Sequence, residues 1–449
     1  MFINANALST TINHLSALAS LDKTQPGVLF DIKDDCIDVY YNSQSKAIIA
    51  TIPAIVEDGD IKGKVVFDYK RLTSTMAYCK TSGRVQVEQV EFKLTKNTVG
   101  PGTAKINVVK TIEASDGETT STEVVSTNTY ELSWWGTEAL TIQQKILNNP
   151  ACENMFPEEG AMTIETSEFV GMVNEACSGD AKVIYFSPMY NGAFSVNTNS
   201  CVLVRNEAQI SKIIPLQTAS AKAIGGIFNA HGAKEIYINT LLDANNKPFA
   251  CIFFDADHKL SIYMAASQIA SAHLMSVSRY VGMPYKSYQI NVMTDVLKDT
   301  LQSVVNLSAA TGGHVEFRND AEDGKVYAVI TAENTGASVN NIYRLRCNNF
   351  NTLKEQTGET WFKIPVDTKQ LLDIIKNNKE EFTGLDIHED NGAMFLRISF
   401  INLEKAKIAR TLYRKEKNFA EDQKMTLEDK IELRDRYVNT SSFVTVKQS

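Results

Sequence analysis

WFKIPVDTKQLLDIIKNNKEEFTGLDIHEDNGAMFLRISF spans residues 361–400 and carries two periodicities in succession. Phe362, Ile364 and Val366 alternate with Lys363 and Pro365, and Asp367 stands where a helix N-cap belongs. Leu371, Leu372, Ile374 and Ile375 then fall at helical spacing. Gly384 breaks that pattern, Leu385 and Ile387 alternate, Asp390-Asn391-Gly392 supplies hairpin chemistry, and residues 394–400 form another strand. The unit is a strand, a short helix and hairpin strands. Lys369, Asp373 and Lys376 lie opposite the apolar stripe, so one helix face packs on a sheet and the other meets something else.

Composition bounds what that something is. A chain of 449 residues suits two to four domains, and 43% hydrophobic residues supply their cores. There is no apolar run of spanning length and no basic, apolar-cored leader, which predicts a cytoplasmic protein with no membrane partner. The seven cysteines lack CxxC spacing, so a disulfide framework is not expected. A formal charge of −8 argues against coating nucleic acid by bulk charge but leaves room for local basic surfaces.

The strand-helix-strand unit recurs along the chain. Phe2 and Asn4 lead into Leu8, Ile12, Leu15 and Ala19, with strands at 28–32, 37–41 and 47–55. Residues 65–67 precede Asp68 as a cap and Leu72, Met76 and Cys79 as a stripe, then Gly83 and a strand over 85–94. Three further starts lie near 162, 213 and 288, each followed by strand-like runs. With the opening stretch these are six diverged copies, unevenly spaced and most simply paired into three domains. Residues 96–133 read as an extended hairpin inserted in the first domain, with a linker and a short helix at 139–147 before the second. The expected divisions are 1–155, 156–283 and 284–402, followed by a tail, 403–449. The tail is net +3 against −11 for the rest; with a helix from Thr426 and a strand near 442–446 it is either a partly disordered appendage or an element that packs across the third domain or contacts DNA or a replication partner.

Chemical motifs are absent. The six histidines show no HExxH or metal spacing with cysteine, residues 100–105 lack phosphate-loop spacing, and no GxSxG occurs. No cofactor or metal is expected and the reading moves from enzyme to binding protein, with a site assembled from distant residues left open.

Six such units in three domains resemble the bacterial β sliding clamp, the processivity factor of replicative DNA polymerases. The local echoes are FSVNTNSCVLV at 194–204, IIPLQTASAKAIGGIF at 213–228, WFKIPVDTKQLLDII at 361–375 and GAMFLRISF at 392–400. The hairpin at 96–133 and the residues after Asn402 depart from the family pattern, a divergence that an origin in a bacterial virus would suit. The resemblance implies an α+β DNA-clamp fold with two repeats per domain, helices lining a ring and sheets outside. Its implied partners are sequence-independent duplex DNA, a second copy of the chain in a homodimer ring, and a DNA polymerase and clamp loader that bring short hydrophobic peptide motifs. The basic residues on or beside the helices, Lys23, Lys70, Arg71, Lys80, Lys222, Lys298, Lys369 and Lys376, become the DNA-facing set. Thr198, Cys201, Leu203, Pro215, Leu396 and Ile398 become the partner-peptide pocket, with Ser200-Cys201-Val202 where the family usually shows Gly-His-Arg. The competing reading is a β-rich structural or assembly protein of a virus that encircles no DNA.

Overall fold

The computed structural model describes the chain apart from residues 22–26, 44, 116–119, 137–159, 178–180, 198–199, 206–208, 268–276, 281–284, 308–313, 320–325, 333–340, 347–350, 353–360, 365–367, 377, 421 and 446–449. It falls into two compact units, Met1–Val170 with Ala219–Ser267, and Gly171–Thr218 with Gln268–Ser449. The expected helix at 139–147 and the Asp367 cap lie outside the described residues.

One element order recurs: a strand, a helix and three more strands. The first copy is β1 (Phe2–Asn4), α1 (Ala5–Ala19), β2 (Val28–Ile32), β3 (Cys36–Asn42) and β4 (Lys46–Ile55). The second is β5 (Gly63–Phe67), α2 (Tyr69–Met76), the short β6 (Val85–Gln86), β7 (Gln89–Thr95), β8 (Gly102–Ser115) and β9 (Thr120–Trp135). The third is β10 (Met162–Glu165), α3 (Thr166–Ala176), β11 (Val183–Ser187), β12 (Gly192–Val196) and β13 (Ser200–Arg205). The fourth is β14 (Ile214–Gln217), α4 (Thr218–His231), β15 (Glu235–Leu242), β16 (Pro248–Phe254) and β17 (Leu260–Ala265). The fifth is β18 (Tyr285–Met293), α5 (Thr294–Leu307), β19 (His314–Asn319), β20 (Val326–Ala332) and β21 (Asn341–Arg346), with β22 (Asn351–Thr352) after it. The sixth is β23 (Trp361–Ile364), α6 (Thr368–Ile375), β24 (Phe382–Asp390) and β25 (Ala393–Ile401). Its last strand, β26 (Thr440–Thr445), arrives only after α7 (Leu403–Glu416) and α8 (Leu427–Tyr437).

Copies exchange their first strands. β1 pairs with β7 and β5 with β2; β10 pairs with β15 and β14 with β11; β18 pairs with β24 and β23 with β19. A backbone bond repeats with the exchange. The first helical N–H of α1, α3, α4 and α5 donates to the carbonyl just before the strand that its own first strand pairs with: Ala5 to Glu88, Thr166 to Lys234, Thr218 to Lys182 and Thr294 to Glu381, each at 2.9 Å. This satisfies a donor that a helix start leaves orphaned.

In the first unit Asn4 caps α1 by accepting from Ala7 N at 3.0 Å, and Asp68 caps α2 by accepting from Arg71 N at 2.9 Å. Leu8, Ile12, Leu15 and Ala19 are buried as their spacing requires, and β4 pairs with β17. Residues 96–133 are no graft. β8 pairs with β7, and β9 returns to β5 through Trp134 and Trp135, so these are the regular later strands of the second copy drawn out to greater length.

In the second unit β13, β26, β25 and β24 lie side by side. Period-2 alternation sends Leu385, Ile387, Leu396, Ile398 and Val444 to one face, where they form a core with Leu297, Leu301 and Val304 of α5 and Leu371, Ile374 and Ile375 of α6. The tail covers part of the opposite face. There Arg434 of α8 meets Asp386 of β24 at 3.0 Å with both side chains fully buried, and Tyr413, Leu433, Tyr437 and Val438 pack with Ile401. Gly384, expected as a break, sits inside β24 because a Cβ there would lie 1.7 Å from Arg434 Nη2.

Two outcomes follow from buried charge. Removing one partner of a buried ion pair strands the other, so Asp386→Ala lowers unfolding free energy by about 3–5 kcal/mol in urea titration, while Asp386→Leu combined with Arg434→Met recovers most of it. In the first unit His14 on α1 is buried with no hydrogen-bond partner on either ring nitrogen, its ring 6.0 Å from that of His231. Burial, then the His231 charge, lowers its pKa from 6.5 to about 4. The unfolded chain therefore binds the proton first as pH falls, and stability held above pH 6.5 declines towards pH 4. The displacement corresponds to roughly 3 kcal/mol. Melting curves at pH 7.5 and 4.5 detect it, and His14→Leu flattens the difference.

Candidate functional site

The tail-bearing face of the second unit holds a cleft. Its floor is Leu203 of β13, Phe443 of β26 and Val438; its rim is Arg205, Arg397, Asp435, Asn439 and Ser441. The Arg397 guanidinium donates to Asp435 Oδ1 at 2.8 Å and to Ser441 Oγ at 3.1 Å, and lies 5.6 Å from the Phe443 ring centroid. Arg205 Nη1 donates to the Asp435 carbonyl at 3.0 Å. Two guanidinium groups thus converge on one residue of α8 beside an apolar floor. Tyr280 flanks the face, 5.4 Å from Phe395 and 5.7 Å from Phe443, and stacks on the latter. Leu203, Phe443 and Val438 are each at most 3% exposed and both guanidinium groups are paired within the chain, so the face presents a polar rim over a covered apolar floor.

Of the residues expected in a partner pocket, Leu203 lines this cleft and Cys201 shares its face, opposite Phe443 in the β13–β26 register. Pro215 is on the same face too. One cross-strand row runs from Pro215 through Tyr185 and Phe194 to Leu203 and Ser441, which puts Pro215 about 14 Å from Leu203, behind two stacked aromatic rings. Leu396 and Ile398 do not join them. They point to the α5–α6 core, and their neighbours Phe395 and Arg397 occupy the cleft face instead, because one step along a strand changes sides. Thr198 lies outside the described residues. Burial pushes the Cys201 thiol well above its usual range, and Leu203 is 2% exposed, so a charge at either would strike the core. Sequence reasoning missed Arg205, Arg397, Asp435 and Phe443.

The basic residues of the helices divide between the units. In the first, Lys70 and Arg71 on α2, Lys80 just beyond it and Lys222 on α4 are all exposed. In the second, Lys369 and Lys376 on α6 are exposed, with Lys376 Nζ 2.8 Å from Asp373, while Lys298 on α5 is half-buried and donates to the Asn378 carbonyl. Lys23 lies outside the described residues. Among the described residues no helix is long and apolar enough to cross a membrane.

No family model and no curated protein matches the sequence. Solved structures do. The chain has the DNA-clamp fold, α+β and built of repeated strand-helix units, the fold of the bacterial DNA polymerase III β subunit. The β chain of Streptococcus pneumoniae superposes with a TM-score of 0.64 at 12% identity, covering 100% of this chain and 99% of that one. The DNA polymerase sliding clamp of Pseudomonas aeruginosa gives 0.62 at 10%, and the β subunit of Thermotoga maritima 0.60 at 11%, each over 100% of this chain and 99% of the other. The resemblance read in the sequence holds at the level of fold.

Proposed function

We propose that the chain is a sliding clamp: two copies close a ring around duplex DNA and tether a replicative DNA polymerase, without enzymatic activity of their own. The observation that carries this reading is the fate of the last strand of each copy. The last strands of the first and fourth copies pair with each other, as do those of the third and sixth. Those of the second and fifth, β9 and β21, have no such pairing among the described residues. β21 ends a four-stranded sheet, and β9 meets β5 only at Trp134 and Trp135. By the same rule β9 of one chain pairs with β21 of another, and a two-fold axis satisfies both edges at once. The strand exchange supports three domains of two copies each, near 1–155, 156–283 and 284–402, with the tail completing the third.

In this reading the exposed cations of α2, α4 and α6 face phosphates, and partner peptides of the polymerase and loader meet the face that overlies Leu203 and Phe443. The local cationic helices suit a protein that must slide, since phosphate attraction carries no sequence information. A cytoplasmic setting fits the same reading.

Sedimentation and DNA retention test it. We expect a particle of twice 49.8 kDa at micromolar concentration. Loaded protein should stay on nicked circular DNA and leave when the circle is cut; a monomer that leaves both substrates equally fast would overturn the ring. Replacing Lys70, Arg71 and Lys222 together by alanine should weaken association with duplex DNA at low salt. The slope of log affinity against log salt should fall by about 0.9 for each phosphate that is no longer neutralised. An unchanged slope would place DNA elsewhere.

A further inference from the structure

One helical turn, residues 277–280, lies on the tail-bearing face of the second unit and belongs to no strand of its sheet. It sits in the connection from β17 to β18, between the fourth and fifth copies. Val277 is fully buried among Tyr185, Phe194, Val196, Cys201, Leu203 and Phe443, so a side chain of this connection closes the apolar floor of the cleft. Tyr280, three positions on and half-buried, stacks on Phe443 with ring centroids 5.7 Å apart and meets Phe395 edge-on at 5.4 Å. Ser278 and Arg279 between them are exposed, and Ser278 Oγ shares one hydrogen bond with Tyr190 Oη at 2.9 Å. An aliphatic and an aromatic anchor at i and i+3 thus fill the face as a short helical ligand fills a groove. Beneath the turn β11, β12, β13, β26 and β25 pair without interruption, so lifting it breaks no backbone bond of the sheet.

We infer that residues 277–280 are an internal ligand that closes this face and yields it to a partner segment carrying an aliphatic and an aromatic side chain three positions apart. The turn itself sets that class, because an incoming segment of the same chemistry regains the contacts of Val277 and Tyr280 while the sheet stays whole. A strand is fixed by its backbone ladder, whereas a turn on a sheet face depends on a few side chains and opens at lower cost than the core beneath it. That the partner is a replication protein rests on the clamp reading. That the turn opens does not, and Cys201 reports it with no DNA or partner present.

Cys201 is 0% exposed and packs in one cluster with Val277. Its alkylation by iodoacetamide in the native full chain, followed by peptide mass spectrometry across sub-denaturing urea, is expected to run through a local opening, faster than global unfolding and nearly independent of urea. Val277→Gly and Tyr280→Ala should each speed it about tenfold. Tyr280→Ala, at a half-buried position, carries the test where Val277→Gly does not melt cooperatively. A labelled synthetic peptide copying residues 271–284 should bind either variant more tightly than the native chain and slow alkylation of Cys201, and a copy with serine in place of both anchors should do neither. The inference is overturned if Cys201 is alkylated only with the urea dependence of global unfolding, or if neither substitution speeds it. It is also overturned if the peptide binds the variants no better than the native chain, or protects Cys201 equally well without its anchors. A monomeric chain that still opens and accepts the peptide keeps the inference and loses the clamp reading.

Discussion

An unpaired strand edge is a row of backbone donors and acceptors that must find a partner, water or another chain. A chain built of six copies that each end on a strand meets this constraint six times. Pairing last strands two by two meets four of those demands inside the chain, through β4 with β17 and β13 with β26. The first strands obey the same logic within each pair of copies, since each lies against its sister's sheet and its helix start borrows a carbonyl there. The pairing pattern is thus a solution to backbone hydrogen bonding before it is anything to do with DNA.

The tail shows how far the constraint reaches. Without β26, both β13 and β25 would expose an edge in the middle of the second unit's sheet, with Cys201 and Leu203 uncovered beside it. The excursion through α7 and α8 delivers that strand and also buries Asp386 and Arg434 with no exposure at all. Ion pairs of that kind add little net stability over a hydrophobic pair of the same volume, but they admit one register, because a shift of a single residue would leave two buried charges unmatched. A strand returning after so long a detour gains most from that demand for register. The Tyr413 hydroxyl between Asp429 and Glu432 and the Arg436 guanidinium over the Tyr413 ring give the two helices a similar fixed relation.

Much of this was legible in the sequence, and the misses share a cause. Local period located the helix of each of the six copies, because a stripe such as Leu8, Ile12, Leu15 and Ala19 is set by neighbours a few residues away, whereas α7 in the tail went unread. A threonine opening α3, α4, α5 and α6, at Thr166, Thr218, Thr294 and Thr368, is a marker of the repeat that was there to be read. Properties that depend on strands far apart in sequence were not readable. The choice of Leu396 and Ile398 over Phe395 and Arg397 for the cleft turns on which face of β25 the helices cover, and alternation alone leaves that sign open. β26 was visible as a strand near 442–446, but not as the missing member of the sixth copy, because 38 intervening residues hide the partnership. Gly384 looked like a break for the same reason: Arg434, fifty positions later, is what requires it.

The fold persists at about a tenth identity to its solved counterparts, and the kind of interaction that specifies it explains how. Exchange of first strands, pairing of last strands and the helix-start bonds are all made by backbone atoms, which every residue but proline carries in full. Side chains need only keep the right period and volume on the face beneath the helices, where Val292, Leu297, Leu385 and Ile398 are interchangeable with other apolar residues at modest cost. The outer surfaces answer to no such rule. The cleft rim of Arg205, Arg397 and Asp435 is held by α8, an element that exists here only because the last connection grew long. The architecture that positions those surfaces rests on backbone pairing and on a period of apolar residues, which very different sequences can satisfy alike.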